Sequence, residues 1–158
     1  MSAVVASVEV NLRRQVEAMA TIDAERRARG MSMSQMSKEA RLSIDSYTAW
    51  LARERDPSLS KLVRLAAAFG FEVVMRGNQQ EINLRDIPAA IIAIGMQRIA
   101  RAWSLYDMEE RSGISLNSFY GWRKSQREPG MSNFVALAET FGFEVVMRGG
   151  PPSHSARQ

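Results

Sequence analysis

The chain contains no cysteine among its 158 residues. Disulfides, thiolate metal sites and a thiol nucleophile are therefore excluded. Its one histidine, His154, stands just after Gly149-Gly150-Pro151-Pro152-Ser153, in a tail (150–158) whose composition reads as disordered. Imidazole acid–base chemistry and histidine metal ligation are nearly closed off with it. No apolar run approaches the roughly 20 residues that a membrane span needs. The opening Met1-Ser2-Ala3-Val4-Val5-Ala6 lacks a basic stretch before its short apolar segment, so no signal peptide is read and a cytoplasmic location is expected. No constellation pairs a nucleophile with its base, which argues against an enzyme, and no metal or cofactor is expected. Net charge is only +4. Residues 1–77 carry 12 basic and 9 acidic side chains and residues 78–158 carry 9 and 8. That distribution admits nucleic acid as a partner without requiring it.

What the sequence has is a repeat. Phe69-Gly70-Phe71-Glu72-Val73-Val74-Met75-Arg76-Gly77 recurs letter for letter at Phe141-Gly142-Phe143-Glu144-Val145-Val146-Met147-Arg148-Gly149, 72 positions later. At the same offset Trp50 falls on Trp122, Pro57 on Pro129, Arg55 on Arg127, Ser43 on Ser115 and Ser46 on Ser118, with no gap between. The segment Glu9-Val10-Asn11-Leu12-Arg13 likewise matches Glu81-Ile82-Asn83-Leu84-Arg85. One module is used twice, as residues 1–77 and 78–149, and one polypeptide can then do what a symmetric dimer does. A hydrophobic content of 46% suffices for two small cores or one shared core.

Apolar spacing predicts a helix from about Arg14 to Arg29, with Val16, Met19, Ala20 and Ile22 in phase. Its counterpart should start near Pro88 and run to about Ala102; its denser set Ile91, Ile92, Ile94 and Ile99 predicts deeper burial. Ser32 and Ser104 are N-caps for short helices at 33–40 and 105–112. The breaks Arg41-Leu42-Ser43 and Gly113-Ile114-Ser115 end in further serine caps, for helices at 44–52 and 116–124. Loops at Asp56-Pro57 and Glu128-Pro129 lead to last helices from Ser58 to Ala68 and from Gly130 to Thr140, stopped by Gly70 and Gly142. Strand-rich segments follow: 71–76 should form a hairpin with 81–85, and pseudo-symmetry pairs 8–12 with 143–148, unless Glu9–Arg13 merely opens the first helix. Because an isolated ribbon is marginal, the 71–76 and 143–148 strands should join the two modules, or two chains as a homodimer. The expected fold is mainly α: tandem helix-turn-helix modules, each with a short strand after its last helix.

Two short helices across a three-residue turn, the second capped by serine, form the helix-turn-helix arrangement. The sequence resembles the Cro/lambda-repressor-like (XRE-type) DNA-binding family over nearly all of both repeats. Leu105 to Trp122 carries the likeness best: Gly113 matches the turn glycine, Ile114 the apolar residue after it, and Phe119 and Trp122 the core positions of the recognition helix. Arg41, Leu42, Tyr47 and Trp50 hold those places in the first repeat. Met33 and Leu105 stand where the family often has glutamine. Glu109 replaces the small residue that Ser37 supplies in the first repeat, and its carboxylate would be costly to enclose. Arg41 replaces the turn glycine, where a left-handed backbone would cost about 1 kcal/mol.

A helix entering the major groove needs outward polar side chains over its first turns and an apolar side fixed to the scaffold. That phase selects Ile44, Asp45, Thr48 and Ala49 in the first repeat, and Leu116, Asn117, Tyr120, Gly121 and Lys124 in the second. Asn117 suits adenine, Leu116 a thymine methyl and Asp45 cytosine N4; helix capping is the alternative for Asp45 and Asn117. Arg53, Arg55 and Lys61, and Arg123, Lys124 and Arg127, cluster where phosphates would run, the alternative being a solvated surface. Trp50 and Trp122 fit core packing better than base stacking, and Met31, Met33 and Met36 read as core filler.

The resemblance implies a sequence-specific transcriptional regulator of double-stranded DNA, such as phages and mobile elements often carry, with the two modules as a built-in pseudo-dimer. The alternative is a protein-interaction module of helix-turn-helix origin that binds RNA polymerase, another regulator or a toxin. The modest charge, the pair Glu109-Glu110 and the missing glutamines keep that alternative open.

Overall fold

In the computed structural model residues 8–149 are described. The segment weighed as a leader and the 150–158 tail lie outside the described residues. The elements run β1 (Val8–Asn11), α1 (Gln15–Ala28), α2 (Met33–Ala40), α3 (Ile44–Leu51), α4 (Leu59–Ala68), β2 (Glu72–Gly77), β3 (Gln80–Asn83), α5 (Ile87–Ala100), α6 (Leu105–Ser112), α7 (Leu116–Arg123), α8 (Met131–Thr140) and β4 (Phe143–Gly149). No helix among the described residues is long and apolar enough to cross a membrane.

The short helices start where their caps say they should. Ser32 Oγ accepts from the Gln35 N–H and Ser104 Oγ from the Asp107 N–H, and in both cases the side chain three residues on returns the bond to the cap's own N–H. Ser43 Oγ and Ser115 Oγ accept from the N–H groups of Ser46 and Ser118. These bonds satisfy donors that a helix start otherwise leaves open.

The four strands form one antiparallel sheet in the order β1-β4-β2-β3. Val8 to Asn11 pairs with Gly149 to Val146, so Glu9–Arg13 does not simply open the first helix. β2 pairs with β3 as the hairpin, and β2 with β4 across the centre. Each repeat thus lends its first strand to the other repeat's last one. The β2 and β4 strands join the two halves of one chain. A homodimer through these same strands is corrected by the pairing: both are interior, each flanked on both sides by the chain's own strands, and neither has a free edge.

The sheet's inner face gives Val73, Met75, Val145 and Met147 to a core that is continuous across both repeats. By strand alternation Val74 and Val146 point the other way, yet each is only 1% exposed. Salt bridges frame them. Arg76 Nε bonds Glu144 at 2.8 Å and its other end reaches Glu9, while Arg148 Nε bonds Glu72 at 2.9 Å and its other end reaches Glu81. By alternation Arg76 and Arg148 share that face with the valine pair, where long arginine stems can cover apolar surface. Each partner in this lattice maps onto its counterpart at the 72-residue offset.

A second junction lies at the far ends of α4 and α8. Ser58 and Gly130 form an antiparallel bridge, with the Leu59 N–H donating to Pro129 O (3.0 Å) and the Met131 N–H to Pro57 O (2.8 Å). Asp56 accepts from the Ser132 N–H in the first turn of α8, and Glu128 accepts from Ser60 Oγ at 2.6 Å in the first turn of α4. A carboxylate at a helix start complements the helix dipole, so each half stabilises the other's last helix.

The deeper burial expected for α5 does not hold. Ala90, Ile91, Ala93 and Ile94 are buried, no more residues than α1 buries, while Ile92, Met96 and Ile99 are 66%, 61% and 65% exposed. Helical phase puts Ile92 and Ile99, seven apart, on the side opposite Ile91 and Ile94.

Candidate nucleic-acid interface

The turn between α2 and α3 runs through Arg41 at φ 53° and ψ 50°, and that between α6 and α7 through Gly113 at φ 76°. Both are left-handed, as the motif requires. The strain that Arg41 carries is met by Arg64, which donates from Nε to Ala40 O at 2.8 Å and from Nη2 to Arg41 O at 2.7 Å. These bonds satisfy carbonyls at the end of α2. The residue equivalent to Arg64 is Ala136, in the repeat where glycine makes the turn. Glu109 is half-buried rather than enclosed, so its carboxylate keeps access to water.

α3 and α7 are anchored by their inner sides. Tyr47 and Phe119 are 0% and 1% exposed, and Trp50 and Trp122 are 4% and 6%, which makes the tryptophans core residues and not stacking platforms. Met36 is fully buried, with Met31 and Met33 packed against the core. The anchoring chemistry differs between the halves. Tyr47 Oη donates to Asp23 Oδ1 at 2.6 Å, and the same carboxylate accepts from Arg26 Nε and Arg27 Nε, each at 2.9 Å. Burial is the largest influence on Asp23 and pushes its pKa up. The bonds from Tyr47, Arg26 and Arg27 together outweigh it, so the carboxyl lies below its usual value. Burial first, then the bond to Asp23, pushes the Tyr47 hydroxyl well up, so it stays protonated. In the second half Gly95, Phe119 and Ile99 occupy the places of Asp23, Tyr47 and Arg27, so none of these three side chains can form the hydrogen-bonded network.

The outward side follows the expectation in part. Ile44 is 39% exposed; Asp45, Thr48 and Asn117 are exposed; Leu116 and Tyr120 are half-buried, with Leu116 leaning on the core. Neither Asp45 nor Asn117 caps its helix, since Ser43 and Ser115 do so, and neither makes a side-chain hydrogen bond among the described residues. Ala49 and Gly121, expected to face outward, are buried. The following loops fold back over them: the Glu54 N–H donates to Ala49 O, and the Gln126 and Arg127 N–H groups donate to Gly121 O. A Cβ on Gly121 would stand 2.9 Å from Arg127 Cδ, so the arginine stem lies directly on the glycine.

Arg53, Arg55, Lys61, Arg123, Lys124 and Arg127 are all exposed, and none is in an ion pair among the described residues. Arg55 Nη2 donates to Asp45 O at 3.3 Å, which holds the guanidinium beside the first turn of α3. Asp45, Thr48, Ala49, Glu54 and Arg55 line a cleft of about 350 Å³ there. Gln15 fastens the loop from below, its Nε2 donating to both Trp50 O and Arg55 O at 3.1 Å.

Topology brings the C-terminal ends of α3 and α7 to one pole. α4 and α8 meet the sheet at their C-terminal ends and each other at their N-terminal ends. α3 leads through residues 52–57, and α7 through 124–129, to that N-terminal junction. The C-terminal ends of α3 and α7, with the basic loops, therefore gather at the pole away from the sheet.

Residue-level reasoning on the sequence missed Arg64, Gln15 and Asp23. Asp23 alone left a signal, a carboxylate in the apolar phase of a helix next to Ile22 and Met19. Among known proteins, no curated sequence and no solved structure matches the chain. Residues 22–74, from the middle of α1 into β2, match the helix-turn-helix family model.

Proposed function

We propose that this chain is a sequence-specific DNA-binding transcription regulator whose two helix pairs dock side by side on one duplex. Ile44, Asp45 and Thr48 read one half-site; Leu116, Asn117 and Tyr120 read the other. Arg53, Arg55, Lys61, Arg123, Lys124 and Arg127 hold the flanking phosphates. The observation that carries the reading is the shared pole, where the C-terminal ends of two helices with buried inner sides meet six exposed basic residues, none in an ion pair among the described residues. A groove reader needs that combination, because phosphate contacts fix register and base contacts supply specificity.

Titrating labelled duplexes with the chain at several salt concentrations tests this. Affinity should fall steeply as salt rises, because each neutralised phosphate releases counterions. Arg55→Ala and Arg127→Ala should each weaken every sequence about equally and flatten the log–log salt slope by about one unit. A change of base preference in either variant would mean that these residues read bases and do not merely position the protein. Absence of salt-sensitive DNA binding would leave the protein-interaction reading, for which the exposed apolar side of α5 supplies a surface.

A further inference from the structure

The two repeats differ at one ion pair on the outer side of their last helices. Arg13, just after β1, donates from Nε at 2.9 Å and from Nη2 at 2.7 Å to Glu139 in the last turn of α8. At the 72-residue offset the same two places hold Arg85, just after β3, and Ala67 in α4. The arginine is kept and its carboxylate is gone. Arg85 is exposed, and its guanidinium has no hydrogen bond and no ion pair among the described residues.

The space beside Arg85 is open. Val63, Ala67, Leu84 and Ile87 line a cleft of about 290 Å³ whose charged residues are Arg64 and Arg85, with no acid among them. A second cleft of about 350 Å³ adjoins it and shares Val63, Ala67 and Arg85; its one acid, Glu72, is engaged by Arg148 and Asn83. Arg64 keeps its charge while its N–H groups hold the Ala40 and Arg41 carbonyls. An apolar wall with two cations and no acid beside them suits an anion with an apolar body. In the second repeat Ala136 and Gln15 replace Arg64 and Ile87, so this make-up belongs to the first repeat alone.

We propose that this cleft binds a small monocarboxylate with an apolar tail, the carboxylate on the Arg85 guanidinium and the tail against Val63, Leu84 and Ile87. The second repeat identifies the anion, because there the chain itself sets a carboxylate on the matching arginine. A guanidinium fork is built for such a group and binds it more strongly than a neutral acceptor. One charge suffices, since the N–H groups of Arg64 that bond the α2–α3 turn are already spent. Ala67 leaves the room that a glutamate side chain fills in the second repeat. The site stands whether or not the helix pairs read DNA.

The test is calorimetric titration of the full chain, without DNA, using sodium hexanoate, with acetate, hexanamide and inorganic phosphate as comparison probes. Hexanoate should bind at one site per chain, roughly tenfold more tightly than acetate because its added methylenes leave water. Hexanamide, which has the tail without the charge, should bind roughly tenfold more weakly than hexanoate. Ala67→Glu installs the second repeat's own pair and should lower hexanoate affinity roughly tenfold or more by occupying Arg85 from within. Arg85→Gln should do the same by removing the charge. Both positions are exposed, so neither change disturbs the core, and circular dichroism should show both variants folded. A wild type that binds no hexanoate at millimolar concentration overturns the proposal. Phosphate or hexanamide binding as tightly as hexanoate overturns it as well, and so does undiminished hexanoate binding by either variant.

Discussion

Asp23→Ala should lower the unfolding free energy by about 3–5 kcal/mol, since it strands a buried tyrosine hydroxyl and a largely buried guanidinium at once. The Asp23 side chain is 10% exposed and Arg26 13%, so water cannot replace what the carboxylate gives them. Arg27, at 73%, loses little. The second repeat shows the apolar solution to the same packing problem. Asp23→Gly combined with Tyr47→Phe installs the Gly95 and Phe119 pair, and should recover more than half of the loss seen for Asp23→Gly alone. Urea melts of the two singles and the double form a cycle that isolates the coupling. Additive losses would show that the hydroxyl and the carboxylate do not depend on each other. Acid gives an independent check. The folded pKa of Asp23 lies below its ordinary value, so its stabilisation is fully present above about pH 4 and is lost as pH falls through the folded value. Below about pH 4 the wild type should therefore lose stability more steeply than the Gly/Phe double variant.

The second large effect lies at the ends of the two interior strands. Gly77 has φ +150°, and a Cβ there would stand 2.3 Å from Gly142 O and 2.9 Å from Phe143 Cα, both backbone atoms that cannot swing aside. Gly149 is its counterpart, with a Cβ 2.6 Å from Gly70 O. Gly77→Ala should destabilise the whole chain by on the order of 2–5 kcal/mol, the sum of a strained backbone and an overpacked contact. Gly149→Ala, at a site without a left-handed backbone, meets only the overpacked contact and should cost less. Both sites lie on the paired β2 and β4 strands, and thermal melts should show one cooperative transition in each variant. A variant in which one half melts early while the other persists would show two independently folded halves in place of the shared sheet.

Much of this architecture is written in the sequence because the devices that define it are local. Serine caps, a left-handed turn residue and a proline loop act within a few positions, so Ser32, Ser43, Ser104 and Ser115 and the turns at Arg41 and Gly113 are legible one by one. The nine-residue identity likewise marks the strands. Exchange of β1 and β3 between the halves is a different matter. The hairpin of β2 with β3 and the pairing of β1 with β4 follow from alternation and symmetry, but the order that puts β4 beside β2 depends on contacts across the whole chain. Arg64 was hidden for a similar reason: its task, bonding the carbonyls that follow from Arg41, exists only once α4 has packed against α2. Ala49 and Gly121 have an outward phase on their helices and are covered by loops whose path the helical phase does not contain. Ile91, Ile92, Ile94 and Ile99 of α5 predicted burial by their number, whereas position on the helix surface decides which of them are covered.

Selection of bound sites from random duplex DNA, followed by footprinting, tests the central claim most directly. The outward residues of α3 and α7 differ, with Asp45 against Asn117 and Thr48 against Tyr120, so one chain should prefer an asymmetric site. Its footprint should cover both half-sites, with centres about one helical turn or 10–10.5 base pairs apart. Asn117→Asp should alter preference in one half only, at roughly 1–3 kcal/mol on the original base. A palindromic site in which each chain covers a single half would contradict the account and assign one helix pair to a task other than reading DNA.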